Sequence, residues 1–303
     1  MEDYLHTYLF HNETKDDGVT PYLSAEDFTG LRYKSYFFKN HGKDIVYYYY
    51  FYDSYRLDSL ILFLPGVGPG HKAYLREIET FCKRGYRVLT LDYSGCGQSG
   101  NDGFYSLFSP ASDTIALINH ADIREEIVIV GHSLGGFTGL TVLSRVERIK
   151  KAVIISGFLS YKWNADRLGR LKEISEYEQT VSPELISTDI VAFLQNTSDE
   201  ILFIHSKDDK IVPYSDTTQF VEKNAKNPRF SFCIVDGRNH NPNYTDDALA
   251  YMNEVFSEYA RLLCEGAFDS FEKKKEYMKD KSPLKMTTQD QAIIDEIIKL
   301  IEK

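Results

Sequence analysis

Short apolar runs punctuate the chain at Leu60–Leu64, Val88–Leu91, Ile127–Val130, Ala152–Ile155, Ile201–Ile204 and Phe230–Val235. Continuous runs this short suit strands buried on both faces of a parallel sheet. Ahead of them, Tyr33–Lys39 and Asp44–Tyr52 read as a strand pair around the turn Asn40-His41-Gly42-Lys43. Between the runs lie helical patterns at about Lys72–Lys83, Leu107–His120, Leu134–Ser144, Ser215–Asn224 and Asp246–Cys264. Alternating strand and helix predicts an α/β fold.

Two regions break the alternation. Phe158–Glu200 puts about 40 residues between two strands, more than a crossover needs, and reads as a small helical insertion. After Cys264 comes the charged stretch Glu272–Glu276, a solvated helix face, and then a last helix. Thr288 and Gln291 fit a capping box for that helix, and Ile293, Ile294, Ile297, Ile298 and Ile301 form one apolar stripe. The stripe is expected to dock on its own domain; the alternative is a homodimer contact.

Composition narrows the function classes. Of 303 residues, 43% are apolar and 26% charged, which suits a globular chain able to bury its own core. A net charge of −10 argues against nucleic acid or an anionic membrane surface as partner, since both need a positive field. The 22 tyrosines and 19 phenylalanines are the unusual feature. The densest run, Tyr47–Tyr50 with Phe51 and Tyr52, reads as a strand with aromatic rings on both faces rather than as a base-stacking platform. Cys82, Cys96, Cys233 and Cys264 are widely spaced, so neither a zinc site nor a disulfide framework is suggested. The N-terminal residues are acidic where a signal peptide needs positive charge, and no run approaches the ~18 apolar residues of a membrane span. The chain reads as cytoplasmic.

The strongest chemical signal is Gly131-His132-Ser133-Leu134-Gly135, a G-x-S-x-G followed by Gly136. It lies directly after the strand Ile127–Val130 and directly before a helix, the context of a nucleophile elbow. The glycines let strand and helix approach around a strained serine, whose hydroxyl then stands at a helix N-terminus. Such a serine needs a base held by an acid, in the order Ser, acid, His. Only His205 and His240 follow Ser133. His205 falls at the end of a strand with no suitable acid before it, whereas His240 lies in a loop directly after the strand Phe230–Val235. The loop after Ile201–Ile204 offers Asp208 and Asp209, of which one can orient the imidazole and the other serve the turn. The strand Leu60–Leu64 empties into Pro65-Gly66-Val67-Gly68-Pro69-Gly70. The backbone N–H groups of Leu134 and Val67 are therefore the expected oxyanion donors.

With these residues in view, the sequence resembles the α/β-hydrolase superfamily, in the branch of monoacylglycerol lipases, small carboxylesterases and serine aminopeptidase-like hydrolases. Four matches over about residues 33–265 carry the resemblance: Pro65-Gly66-Val67-Gly68, Asp92-Tyr93-Ser94-Gly95-Cys96-Gly97-Gln98-Ser99 as D-x-x-G-x-G-x-S, the serine elbow, and Asp209-Lys210-Ile211-Val212-Pro213 followed by His240. It implies a mostly parallel eight-stranded sheet flanked by helices, with a helical cap. Residues 1–32 would be an N-terminal extension, 33–157 and 201–265 the core, 158–200 the cap, and 266–303 a C-terminal helical extension. The family pattern selects Asp209 over Asp208, because the acid stands one residue before two apolar residues and a proline.

The resulting expectation is a serine hydrolase of small or medium acyl esters, with Ser133, Asp209 and His240 as catalytic residues and Trp163 lining the acyl pocket. No metal, nucleotide or organic cofactor is called for. The alternative is a peptidase or amidase of the same fold, for which Glu173, Glu176 or Glu178 could hold a substrate ammonium, although they read more simply as a solvated helix face. Dehalogenases and epoxide hydrolases of this fold carry Asp where Ser133 stands. A non-catalytic ligand-binding member is the reading from a different class.

Overall fold

The structure, a computed structural model, describes residues 16–56, 58–99, 106–162, 166, 169 and 171–303. Eight strands form one sheet: β1 (Arg32–Asn40), β2 (Lys43–Phe51), β3 (Ser59–Leu64), β4 (Arg87–Leu91), β5 (Glu126–His132), β6 (Lys151–Ile155), β7 (Glu200–Ser206) and β8 (Phe230–Val235). Their spatial order is β1-β2-β4-β3-β5-β6-β7-β8. β2 pairs antiparallel with β1 and β4, and every other pairing is parallel. This is the mostly parallel eight-stranded sheet expected from the resemblance. The β1–β2 turn places His41 (φ 46°) and Gly42 (φ 75°) both at positive φ, as a two-residue hairpin compatible with strand twist requires.

Eleven α-helices are described: α1 (Leu75–Lys83), α2 (Ser109–His120), α3 (Leu134–Leu143), α4 (Leu171–Val181), α5 (Pro183–Ile186), α6 (Ile190–Asn196), α7 (Thr218–Asn224), α8 (Asp246–Cys264), α9 (Phe271–Lys279), α10 (Pro283–Met286) and α11 (Gln291–Ile301). The helix expected from Lys72 becomes α-helical only at Leu75, after a 3-10 turn over Gly70–Tyr74. The helix expected from Ser215 likewise opens with a 3-10 turn, Tyr214–Asp216. Helices α4 to α6 occupy the long connection between β6 and β7.

Alternation along each strand divides the core into two layers. Leu60, Leu62, Ile127 and Ile129 face the layer that includes α3, the helix that follows Ser133, while Ile61, Phe63, Val128 and Val130 face the opposite layer. The tyrosine strand divides the same way: Tyr47 belongs to the first layer, and Tyr48 and Tyr50 to the second. Its rings stack across the hairpin, Tyr36 on Tyr47 and Tyr33 on Tyr50, each with centroids 5.4 Å apart.

The second layer is closed by chain ends that the resemblance left unexplained. Leu23, Phe28 and Leu31 contribute from the N-terminal side, and Ile293, Ile294, Ile297, Leu300 and Ile301 of α11 are buried in the same cluster. Ile298 packs on it partly buried. The apolar stripe is thus occupied within the chain. Its helix is capped differently from the expected box: the Asp290 carboxylate accepts from the Ala292 N–H at 2.9 Å, while the Thr288 hydroxyl donates backwards to the Leu284 carbonyl. A carboxylate directly before the first turn reaches its N–H groups and also suits the helix dipole, and so outcompetes a threonine two residues further out. Among the described residues, no helix is long and apolar enough to cross a membrane.

Candidate active site

Ser133 stands between β5 and α3 with φ 55° and ψ −117°, a strained conformation for a residue with a Cβ. The surrounding tight packing explains how it is held. A Cβ on Gly131 would meet the Gly136 nitrogen at 2.9 Å, and one on Gly135 would meet the Pro65 carbonyl oxygen at 2.7 Å. Only glycines at these positions let α3 sit this close to β5 and to the end of β3. Leu134 is the first residue of α3, so its N–H has no intrahelical acceptor. Val67 lies half-buried in the loop after β3, and the Tyr93 hydroxyl braces that loop by donating to the Pro65 carbonyl at 3.1 Å.

His240 comes from the loop after β8. Its Nδ1 lies 2.9 Å from Asp209 Oδ2, in the loop after β7. Asp209 Oδ1 accepts from the N–H groups of Ile211 and Val212, both at 2.9 Å, which fixes the carboxylate's direction. A second histidine supports it from below: His205 Nε2 donates to the Val212 carbonyl at 2.8 Å and lies 3.2 Å from Asp209 Oδ2. Burial works to raise the Asp209 pKa. The hydrogen bonds from His205, His240 and the Val212 N–H outweigh it and hold the carboxyl far below the usual carboxylate range.

Asp208 faces elsewhere. Its Oδ1 accepts from the Ser206 hydroxyl at 2.5 Å and from the Asn239 N–H at 3.1 Å, directly beside His240. Asn239 returns the link by accepting the Lys210 N–H at 3.0 Å. The two adjacent aspartates therefore divide the work: one meets the imidazole and the other ties the acid loop to the histidine loop.

Three features have a structural part that the sequence reading did not assign. The first is His132, the variable residue of the elbow, whose Nε2 lies 2.8 Å from the His240 carbonyl and whose Nδ1 lies 2.9 Å from the Tyr74 hydroxyl. The second is Asp92 of the D-x-x-G-x-G-x-S loop. It is fully buried, accepting from the His71 and Gln98 N–H groups at 2.9 Å, with His71 Nδ1 at 2.8 Å. This motif serves to tie the loop after β4 to the chain that follows Gly66–Gly70. The third is a brace from the C-terminal segment. Arg238 pairs with Asp290 at 2.7 Å, and Asn243 donates to Gln289 at 2.9 Å. Glu77 of α1 joins that network by accepting from the Tyr244 hydroxyl at 2.8 Å, and burial pushes its carboxyl up to about 7.

Trp163 lies outside the described residues. Of the cap carboxylates, Glu178 is not on a solvated face: it is fully buried, with Oε2 accepting from the Ser106 hydroxyl at 2.6 Å and Oε1 from the Leu107 N–H at 2.7 Å. It pins α4 to the entry of α2. Glu176 is exposed and lies 3.9 Å from Lys172. Among the described residues, no group of three or more His, Cys, Asp or Glu side chains could hold a metal ion.

The sequence profile of the α/β hydrolase fold matches residues 59–181, which hold the Gly66–Val67 loop and the serine elbow. The chain has the α/β-hydrolase fold. Curated relatives include a putative carbamate hydrolase RutD of Azorhizobium caulinodans, 30% identical over 120 residues, or 39% of this chain and 43% of the relative. A proline iminopeptidase of Clostridioides difficile is 27% identical over 135 residues, or 43% of this chain and 45% of the relative. The chain thus spans less than half the length of either. Among solved structures, an esterase of Pyrococcus furiosus superposes with a TM-score of 0.57 at 19% identity, covering 84% of this chain and 98% of that one. At that identity the likeness is one of α/β-hydrolase fold.

Proposed function

We propose that this protein is a serine hydrolase that cleaves carboxylic esters of small or medium acyl chains through an acyl-enzyme intermediate. The observation that supports the reading is the His240–Asp209 pair at 2.9 Å, on loops after β8 and β7, alongside a serine held at positive φ directly after β5. His240 Nε2 takes the Ser133 proton as the hydroxyl attacks the substrate carbonyl. Asp209, kept ionised by its hydrogen bonds, fixes the Nδ1–H tautomer and stabilises the imidazolium that forms. The N–H groups of Val67 and Leu134 receive the oxyanion. His240 then protonates the leaving alcohol, and a water activated by the same imidazole releases the acid.

The relatives named for carbamate hydrolysis and peptide cleavage make an amidase the second reading. The buried position of Glu178 weighs against it for substrates with a free N-terminus. Both of its oxygens are committed to the core, and its pKa is raised by burial, so it is poorly placed to hold an ammonium. The test is a fluorophosphonate probe followed by a panel of p-nitrophenyl esters from short to medium chains beside aminoacyl-p-nitroanilides. Labelling at Ser133 with ester turnover is expected. Labelling with anilide turnover alone would favour the amidase, and folded protein that takes no label would remove both.

A further inference from the structure

The polar atoms of His132 leave little freedom in how its protons are placed. Nε2 faces the His240 carbonyl at 2.8 Å, and a carbonyl only accepts, so Nε2 carries the proton. In the neutral ring Nδ1 is then an acceptor, and the Tyr74 hydroxyl at 2.9 Å must donate to it. The Tyr74 hydroxyl also packs against Gly66, one residue before Val67, so closely that a Cβ there would collide with it. Tyr74 and His132 are both buried.

We propose that Tyr74 and His132 are positioning residues, joining the loop that supplies the oxyanion donor to the backbone of the general base in one directed hydrogen-bond relay: Tyr74, packed against Gly66, donates its O–H to His132 Nδ1, and His132 Nε2–H donates to the His240 carbonyl. The proposal rests on the serine-hydrolase reading. Neither side chain need touch substrate. Their effect is to set the distance between the base and the oxyanion hole, two parts brought by loops at opposite ends of the chain, where misplacement by about 1 Å can cost about 100-fold in rate. The relay works only while His132 stays neutral, because a charged ring would oppose the imidazolium that forms on His240. Burial is the main cause that keeps it so, with the His240 and His205 charges acting in the same direction; the His240 carbonyl and the Asp209 carboxylate work against them, and the net effect lowers its pKa to about 3.

The test uses the full chain labelled with 15N-histidine, alongside the variants H132Q, H132F and Y74F. In the parent, the signals absent from H132Q should show an Nε2–H tautomer that does not titrate between pH 5 and 8. Glutamine places an N–H near the position of Nε2 and phenylalanine does not. H132F should therefore lose at least about tenfold in kcat with KM within about twofold, and H132Q should recover most of it. Y74F should fall between them, with melting temperatures close to the parent for all three. A His132 that titrates in this range or carries its proton on Nδ1, an H132F with parental kcat, or an H132Q as impaired as H132F would overturn the relay. If H132F does not fold, the Y74F and H132Q kinetics and the parent spectrum still decide. Parent protein that takes no fluorophosphonate label would instead count against the hydrolase reading, and the tautomer of His132 would still be readable.

Discussion

At the scale of single residues, adjacent aspartates differ in what they face, and their substitutions should differ accordingly. Asp209→Asn keeps the loop's shape but removes the carboxylate that fixes the His240 tautomer, so kcat should fall by roughly four orders of magnitude. Asp208→Asn retains an oxygen able to accept from Ser206 and Asn239, and should stay within about tenfold of the parent. Steady-state kinetics on one ester separates the two, and the reverse ranking would exchange their roles. Residue patterns alone left both aspartates open, because neighbours in a loop carry no periodicity that says which one turns inward. His132 was even less legible. The variable position of G-x-S-x-G accepts many residues, and nothing local announces a partner 108 residues further along the chain.

At the scale of elements, buried carboxylates tie helices to neighbouring segments. Glu178 anchors α4 to Ser106 and Leu107, and its loss would strand the half-buried Leu107 N–H and leave the Ser106 hydroxyl with Ser182 as partner. Glu178→Ala should cost about 2–3 kcal/mol and loosen the cap, seen as faster amide exchange across α4 and a raised KM. Protected exchange in the variant would show that the cap is held by other contacts. Glu77 links α1 to the segment that follows His240. Its folded-state pKa of about 7 lies above the ordinary carboxylate value, so the folded state holds the proton more tightly than the unfolded chain does. The sign follows: stability is fullest below about pH 4 and is lost as pH rises towards 7, by an amount on the order of 3 kcal/mol. In Glu77→Gln this component is absent, so the melting temperature of the variant relative to the parent should climb across pH 5 to 7. A pH-independent difference would show that Glu77 does not carry a raised pKa. His132 contributes with the opposite sign, since a neutral buried histidine must charge on unfolding in acid, and taking the variant-minus-parent difference removes it.

At the scale of the whole molecule, the C-terminal segment completes one core layer and braces the base loop. Five side chains of α11 are buried there, and at about 1.5–3 kcal/mol each their burial is worth on the order of 10 kcal/mol, comparable to the total stability of a domain. A chain ending before Thr287 is therefore expected to be insoluble or molten, and circular dichroism with a thermal melt would detect it. A cooperatively folding truncation would mean that α11 is an accessory. If the truncated chain does fold, losing the Arg238–Asp290 and Asn243–Gln289 links should still lower kcat through the His240 loop.

Local chemistry determined much of this protein. Six short apolar runs and an aromatic hairpin are legible as strands, because runs of that length suit a sheet and aromatic residues suit its edge hairpin. A serine between G-x and x-G, directly after such a run and directly before a helix, marks a tight strand-to-helix turn. What tertiary structure alone decided are relations between distant segments: that Asp208 ties the acid loop to the histidine loop, that His132 and Tyr74 tie two loops together, and that α11 covers the sheet. The capping of α11 by Asp290 rather than by Thr288 has the same origin on a smaller scale, since several nearby side chains could cap and three-dimensional placement chose among them. Each of these depends on direction and distance across the fold, and a linear pattern of polar and apolar residues records neither.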